Sequence, residues 1–295
     1  MTTFHGAWPA LVTPYQDDGS VNTAVLRDII EYHIDKGVSG FYTGGSTGEG
    51  HFLPIKLRKL ISETVLQQVD GRVPVIVHAG SISLQDAIEM AIHAEKHGAA
   101  GISSILPPFY ETTEVIFKYF EALAGATPDL PFLPYLLNPK VDTITLLRCT
   151  MKIPNLAGSK YTGSNMFEFR QLIELGNSKW TMFSGMDEQC VYAAMAGASG
   201  NIGSTVNFMP GAYIAIHQYI AEGKYAEAHN LQQKANAVTA IMIECGFMGA
   251  LKAVMKHLGF DCGQPYLPHL PMNADEEKML FQKLEQTNFV ELTKM

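Results

Sequence analysis

The chain of 295 residues predicts an α/β fold: a single (β/α)8 TIM barrel with additional C-terminal helices. Three observations point there. Short apolar runs alternate eight times with amphipathic stretches of helical period, and short strands that are apolar throughout suit a parallel sheet covered on both faces. Because crossovers are right-handed, eight such units close most economically into a barrel; an open doubly wound sheet is the alternative. No Pro/Gly/Ser-rich linker divides the chain, and barrels of this class reach this length as one unit.

The strands are expected at 8–12, 40–43, 74–78, 101–106, 132–136, 156–160, 180–184 and 200–204. Each leads into a helical pattern, near 23–36, 54–69, 84–97, 115–124, 143–150, 165–175, 188–196 and 210–222. In the first of these Val25, Leu26, Ile29, Ile30 and His33 recur at the spacing of one helix face. The fifth strand is the weakest, since Pro131 and Pro134 each remove a ladder donor. Beyond it all, 226–244, 248–258 and 275–287 carry helical periodicity without further strands. The expected organisation is therefore a barrel over 1–224 and a helical extension over 225–295 packed against it.

Composition narrows the partners. The net charge is −8 and no cluster of Lys and Arg forms a stripe, which argues against nucleic acid and anionic membrane. Met1-Thr2-Thr3-Phe4-His5 has neither a basic region nor an apolar core, and no run of about 18 apolar residues exists, so a cytoplasmic protein is expected. Cys149, Cys190, Cys245 and Cys262 are scattered with no Cys-x-x-Cys pair, as reduced structural thiols would be.

The densest chemical signal is Gly44-Gly45-Ser46-Thr47-Gly48-Glu49-Gly50, directly after the second strand. Small residues let the main chain close around a ligand, while hydroxyls and N–H groups supply donors for a small anion such as a carboxylate. The Walker spacing is absent, and a dinucleotide fingerprint fails because Phe52 and Leu53 stand where a third glycine belongs. An ordinary turn has the same composition.

Barrel chemistry gathers at the C-terminal ends of strands, so the polar residues there are the candidates. They are the Ser46-Thr47 turn, His78, the loop Pro107-Pro108-Phe109-Tyr110, Tyr135, Lys160 with Thr162, Gly185-Met186-Asp187-Glu188, and Gly203-Ser204-Thr205. Lys160 ends an apolar run in the barrel mouth, where desolvation disfavours the ammonium and favours the free amine that a nucleophile requires. Such an amine forms a Schiff base with a carbonyl and uses the iminium as an electron sink. A lysine that merely snorkels to the rim would occupy the same position. Tyr135 can pass a proton or fill the core, and Asp187 and Glu188 can grip hydroxyls or cap the helix that follows. His93 and His97 lie four apart on a helix without the zincin spacing and are expected at the surface, with no metal or other cofactor.

With Gly45-Ser46-Thr47-Gly48-Glu49, Tyr135 and Lys160 on strands two, five and six, the chain resembles the N-acetylneuraminate lyase and dihydrodipicolinate synthase family of pyruvate-dependent class I aldolases. The resemblance runs through nearly the whole chain, and Gly200-Asn201-Ile202-Gly203-Ser204-Thr205 is similar to the family's eighth-strand segment. It implies that Lys160 binds pyruvate as a Schiff base, that Tyr135 shuttles the proton, and that Ser46 and Thr47 hold the carboxylate. It also implies that Tyr110 reaches across a subunit interface in a homo-oligomer, usually a homotetramer. Within the family the lyase branch is closer: Thr162, Gly185, Asp187, Glu188, Gly203 and Ser204 stand where a polyhydroxylated sugar-acid tail is held. No arginine follows Tyr135, as synthases have; Leu136-Leu137-Asn138-Pro139-Lys140 departs from both patterns. The implied reaction is reversible cleavage of N-acetylneuraminate to pyruvate and N-acetylmannosamine. The alternatives are a synthase, another 2-keto sugar-acid aldolase or dehydratase, and a silent keto-acid-binding paralogue.

Overall fold

Helix starts in this chain are written in its capping residues. Asn22, Ser83, Thr112, Asp142 and Asn165 each accept, through the side chain, the backbone N–H three residues on, which satisfies one of the orphan donors of a first turn. Asn273 and Glu276 form a reciprocal capping box. The computed structural model describes residues 4–295 except residue 178; the first three residues of the start discussed above lie outside the described residues.

Eight strands alternate with eight helices: β1 Gly6–Pro9, α1 Thr23–Asp35, β2 Phe41–Thr43, α2 Ile55–Val69, β3 Val75–His78, α3 Leu84–Lys96, β4 Gly101–Ile105, α4 Thr113–Gly125, β5 Phe132–Leu137, α5 Thr143–Thr150, β6 Gly158–Thr162, α6 Met166–Leu175, β7 Thr181–Ser184, α7 Cys190–Met195, β8 Gly200–Gly203 and α8 Pro210–Ala221. Neighbouring strands pair in parallel, and β1 pairs with β8. The ring closes between β1 and β2 through the Ala10–Tyr42 bridge and a 2.9 Å hydrogen bond from the Leu11 N–H to the Tyr42 carbonyl. Four further helices follow: α9 Tyr225–Glu244, α10 Phe247–His257, α11 Ala274–Leu284 and α12 Phe289–Lys294. α9 and α12 pack on α8, and one apolar core runs from the barrel helices into this tail.

Two apolar clusters result from the strands having two faces. The larger fills the space between strands and helices. The smaller plugs the barrel interior with Phe4, Trp8, Ile76, Leu133, Phe183 and Ile202, where Trp8 meets Phe4 and Phe183 edge-on at 5.5 and 5.3 Å.

Several boundaries differ from expectation for reasons of register. The first strand lies at Gly6–Pro9 rather than 8–12, since residues 10 and 11 serve the barrel closure. β6 starts later and runs on, so Lys160 sits at its middle and pairs with Tyr135 rather than ending the strand. The apolar pair at 156–157 only approaches β5, and the strand proper begins at Gly158, whose φ of 148° and close contact with the Thr181 backbone leave no room for a Cβ. Pro134 does stand in a central strand, paired with Ser104, and its carbonyl accepts the Ser159 hydroxyl at 2.8 Å. The helix expected at 188–196 divides into a 3₁₀ turn and α7, and α12 was not expected. No described helix is by itself long and apolar enough to cross a membrane.

Candidate active site

The loop after β2 folds into a tight cup. The Glu49 and Gly50 amides donate to the Ser46 and Gly45 carbonyls at 3.0 and 3.1 Å, and a Cβ at Gly50 would run into the Gly44 backbone. Among the described residues the Ser46 and Thr47 amides donate to no protein acceptor. Thr47 Oγ1 lies 2.6 Å from Ser204 Oγ, and Ser46 Oγ lies 3.2 Å from His51 Nε2, so the cup is joined to β8 on one side and to His51 on the other.

Glu49 fixes the cup from below. It adopts a left-handed backbone (φ 58°), is fully buried, accepts the Tyr266 N–H at 2.6 Å, and pairs with Lys252 of α10 at 3.0 Å. Lys252 also donates to the Thr13, Cys262 and Gln264 carbonyls, which is how a buried ammonium is made tolerable. The extension after the barrel thus anchors the loop that forms the cup. Sequence reasoning missed this pair, because nothing in residues 247–257 marks which charge turns inward.

Lys160 and Tyr135 are register partners on β6 and β5, both buried. The Lys160 Nζ rests 4.2 Å from the Tyr135 ring centre and 4.8 Å from that of Tyr42, and among the described residues it has no hydrogen-bonded or ion-paired acceptor. Cation–π contact of this kind is worth about 0.5–2 kcal/mol. Tyr42, absent from the sequence candidates, is itself held by a 3.1 Å hydrogen bond to Ser103, and burial raises its phenol's pKa. Thr162 Oγ1 reaches the Tyr135 hydroxyl at 3.5 Å. Gly185 is a glycine because a Cβ there would strike Thr162 Oγ1 and approach Lys160 Cε to 2.8 Å.

The adjoining wall, β7 and β8, is a closed hydrogen-bond network. Asp187 accepts from Asn201 Nδ2 at 3.1 Å, the Thr205 N–H at 2.8 Å and the Thr205 hydroxyl at 2.6 Å. Burial pushes its carboxyl upward, and the Thr205 and Asn201 bonds and the nearby Lys160 charge oppose that. Its carboxylate touches Gly203 so closely that a Cβ could not exist there. Glu188, half-buried beside it, has no side-chain hydrogen bond among the described residues, and burial first and then Asp187 raise its pKa.

His78 ends β3 and is fully buried. Its Nε2 accepts the Ile105 N–H at 3.0 Å, which assigns the proton to Nδ1, and burial together with His51, Arg58 and Lys160 holds the ring neutral. Tyr110 lies on the loop after β4 and packs within its own chain. It is half-buried edge-on against Tyr119 at 5.2 Å, while Phe109 of the same loop is exposed. The tyrosine is drawn back because Tyr119, tied to Ser81 by two hydrogen bonds, offers it a ring to pack on. His93 and His97 are also half-buried rather than outward-facing, turned toward α2.

A family model described as the dihydrodipicolinate synthetase family matches residues 3–287. An N-acetylneuraminate lyase of Rhizobium meliloti (strain 1021) is 32% identical over 268 residues, covering 89% of this chain and 88% of the relative. One from Citrobacter koseri is 29% identical, covering 95% and 97%. Among solved structures, Proteus mirabilis N-acetylneuraminate lyase superposes with a TM-score of 0.93 at 29% identity, over 98% of this chain and all of its own. A Ruminococcus gnavus sialic acid aldolase described as a catalytic lysine mutant gives 0.94 at 26% identity, over 99% and 97%.

Proposed function

The chain belongs to the dihydrodipicolinate synthetase family, and from that premise we propose that it is a carbon–carbon lyase cleaving N-acetylneuraminate reversibly to pyruvate and N-acetylmannosamine. The observation that carries the reading is the pairing of Lys160 with Tyr135 across from the cup. Cleavage begins with the Lys160 amine attacking the keto carbon; water leaves and an iminium forms. The Tyr135 phenol gives its proton to the departing hydroxyl, and the resulting phenolate takes the proton of the hydroxyl two carbons along as the C–C bond next to that hydroxyl breaks, its electrons drawn into the iminium, and the aldehyde is released. Reprotonation of the enamine carbon and hydrolysis return pyruvate and the free lysine.

Ser46, Thr47 and the two free amides suit the carboxylate, as donors converging on an anion. Thr162, Gly185, Gly203 and Ser204 line the path toward the sugar tail. Asp187 and Glu188 face its hydroxyls, with Glu188 the freer: a carboxylate has about four acceptor sites, and three donors already meet Asp187.

The deciding experiment is borohydride trapping with pyruvate. The expected adduct is on Lys160 alone, and Lys160→Ala should lose cleavage by about 10⁴-fold or more. Trapping on another lysine, or full activity in the variant, refutes the assignment. Condensation of pyruvate with aspartate semialdehyde without cleavage of the sugar acid would move the chain to the synthase side, and trapping without turnover to a binding paralogue.

Phe109, with φ 71° and 86% of its surface exposed, supports a homo-oligomer, a tetramer by the family resemblance, with this loop and Tyr110 near an interface. A fully active monomer in sedimentation at assay concentration would rule that out.

A further inference from the structure

On the outer ring, away from the cup and the strand ends, α2 and α3 bring Glu63, His93 and His97 together. One oxygen and two imidazole nitrogens lie within 4.8 Å of one another, on half-buried side chains. The histidines are four apart on α3 and its C-cap, so both rings leave the same face, with centres 4.1 Å apart. The two ring nitrogens in question differ in what they meet. His97 Nδ1 contacts the His93 carbonyl at 2.8 Å and so carries the proton; Nε2 of the neutral ring then presents a lone pair toward Glu63 Oε1, 3.8 Å away. His93 Nε2 is buried with no hydrogen-bond partner among the described residues. Burial, and then His97, favour the neutral His93 ring, the form that ligates a metal.

Two imidazole nitrogens and a carboxylate oxygen converging, with His93 Nε2 left without a hydrogen-bond partner among the described residues, is an arrangement a cation completes. The surroundings are prepared for one: Gln67 Nε2 holds Glu63 Oε1 at 3.0 Å, and the nearby Lys59 ammonium is paired with Glu89. We propose that Glu63, His93 and His97 form a site for one Zn²⁺-class divalent transition ion that clips α2 to α3, water taking the remaining position. Two imidazoles and a carboxylate suit zinc, nickel or copper, whereas calcium and magnesium take oxygen sets. A tetrahedral ion with ligands at about 2.0–2.1 Å separates them by about 3.4 Å, so small side-chain rotations close the site. The hydrogen bond at His97 Nδ1 is the outer contact that orients a ligating imidazole. The competing arrangement, a protonated His97 paired with Glu63, needs no metal and leaves His93 Nε2 without a partner.

The test is calorimetric titration of the EDTA-treated full chain with ZnCl₂, paired with thermal melts. The expected result is one Zn²⁺ per chain and a melting temperature that rises with Zn²⁺ concentration. Affinity should fall by about 10²-fold or more in His93→Ala and in His97→Ala, and by about tenfold in Gln67→Ala, which alters only the support of Glu63. Pyruvate trapping should be unchanged in all three. Absence of saturable binding, or binding that survives the double histidine variant, overturns the proposal. Should the histidine variants not fold, zinc-edge X-ray absorption on the wild-type chain decides: two imidazole nitrogens support the site, and none or one refutes it.

Discussion

The two walls of the barrel mouth differ in how far their polar groups are committed. On the β5–β6 wall, Lys160 Nζ rests on two aromatic rings with no acceptor among the described residues, and the Tyr135 hydroxyl has only a long 3.5 Å contact from Thr162. On the β7–β8 wall, Asp187 takes three hydrogen bonds, Thr205 goes on to meet Tyr213 at 2.7 Å, and Asn201 meets His217 at 2.9 Å. Reaction needs groups whose bonding capacity is still open, whereas a saturated network gives geometry and rigidity. In the proposed reading the first wall breaks the bond and the second positions the substrate.

The sharpest way to break that contrast is Tyr135→Phe. Turnover should fall by about 10²–10⁴-fold while borohydride trapping of pyruvate persists, because the proton taken in C–C cleavage moves after the Schiff base has formed. Loss of trapping in step with turnover would show that Tyr135 shapes Lys160 instead. Next in size is the split between the two acidic neighbours. Asp187→Ala leaves Asn201 and Thr205 donors without an acceptor, at about 1–3 kcal/mol each, so urea melts should show a clear loss of stability along with a raised KM for the sugar. Glu188→Gln should raise KM for the sugar by about tenfold with the melt unchanged, since it breaks no internal bond. Equal melts for the two variants would erase the distinction between the walls.

A separate effect, spread over the fold, is a pH dependence from His217, whose pKa burial pushes down to about 4, with His5 adding to it. In the unfolded chain it titrates near about 6.5, so between those values the unfolded state binds the extra proton. Stability from this group is therefore complete above about 6.5 and is lost, at up to about 1.4 kcal/mol per pH unit, as pH falls toward 4. Urea melts from pH 7 to 4.5 on the wild type and on His217→Gln measure it; parallel curves would mean that the histidine is not held neutral.

The alternation of short apolar runs with stretches of period 3.6 was readable without any structure, and so was the barrel. Side-chain caps such as Ser83 and Asp142 mark helix starts locally, so the ends of α3 and α5 fall where the pattern places them. The site was legible where a group follows its own strand: the cup after β2, and the acidic pair after β7. Lys160 was expected at the end of its strand and stands at the middle, because an apolar run cannot show where a parallel ladder starts. Tyr42 was passed over since a tyrosine inside an apolar run has no local feature separating a core ring from one beneath an amine.

What the sequence determined by itself was periodicity, capping and the chemical inventory, all of which depend on neighbours a few residues away. Tertiary structure alone decided the contacts between distant residues. It turned Lys252 under Glu49 across some two hundred positions, drew Tyr110 onto Tyr119, and set Glu63 of one helix against the histidines of the next. Each choice follows from which side chains share a buried face once the ring has closed. That depends on strand register and helix rotation, which no local pattern encodes.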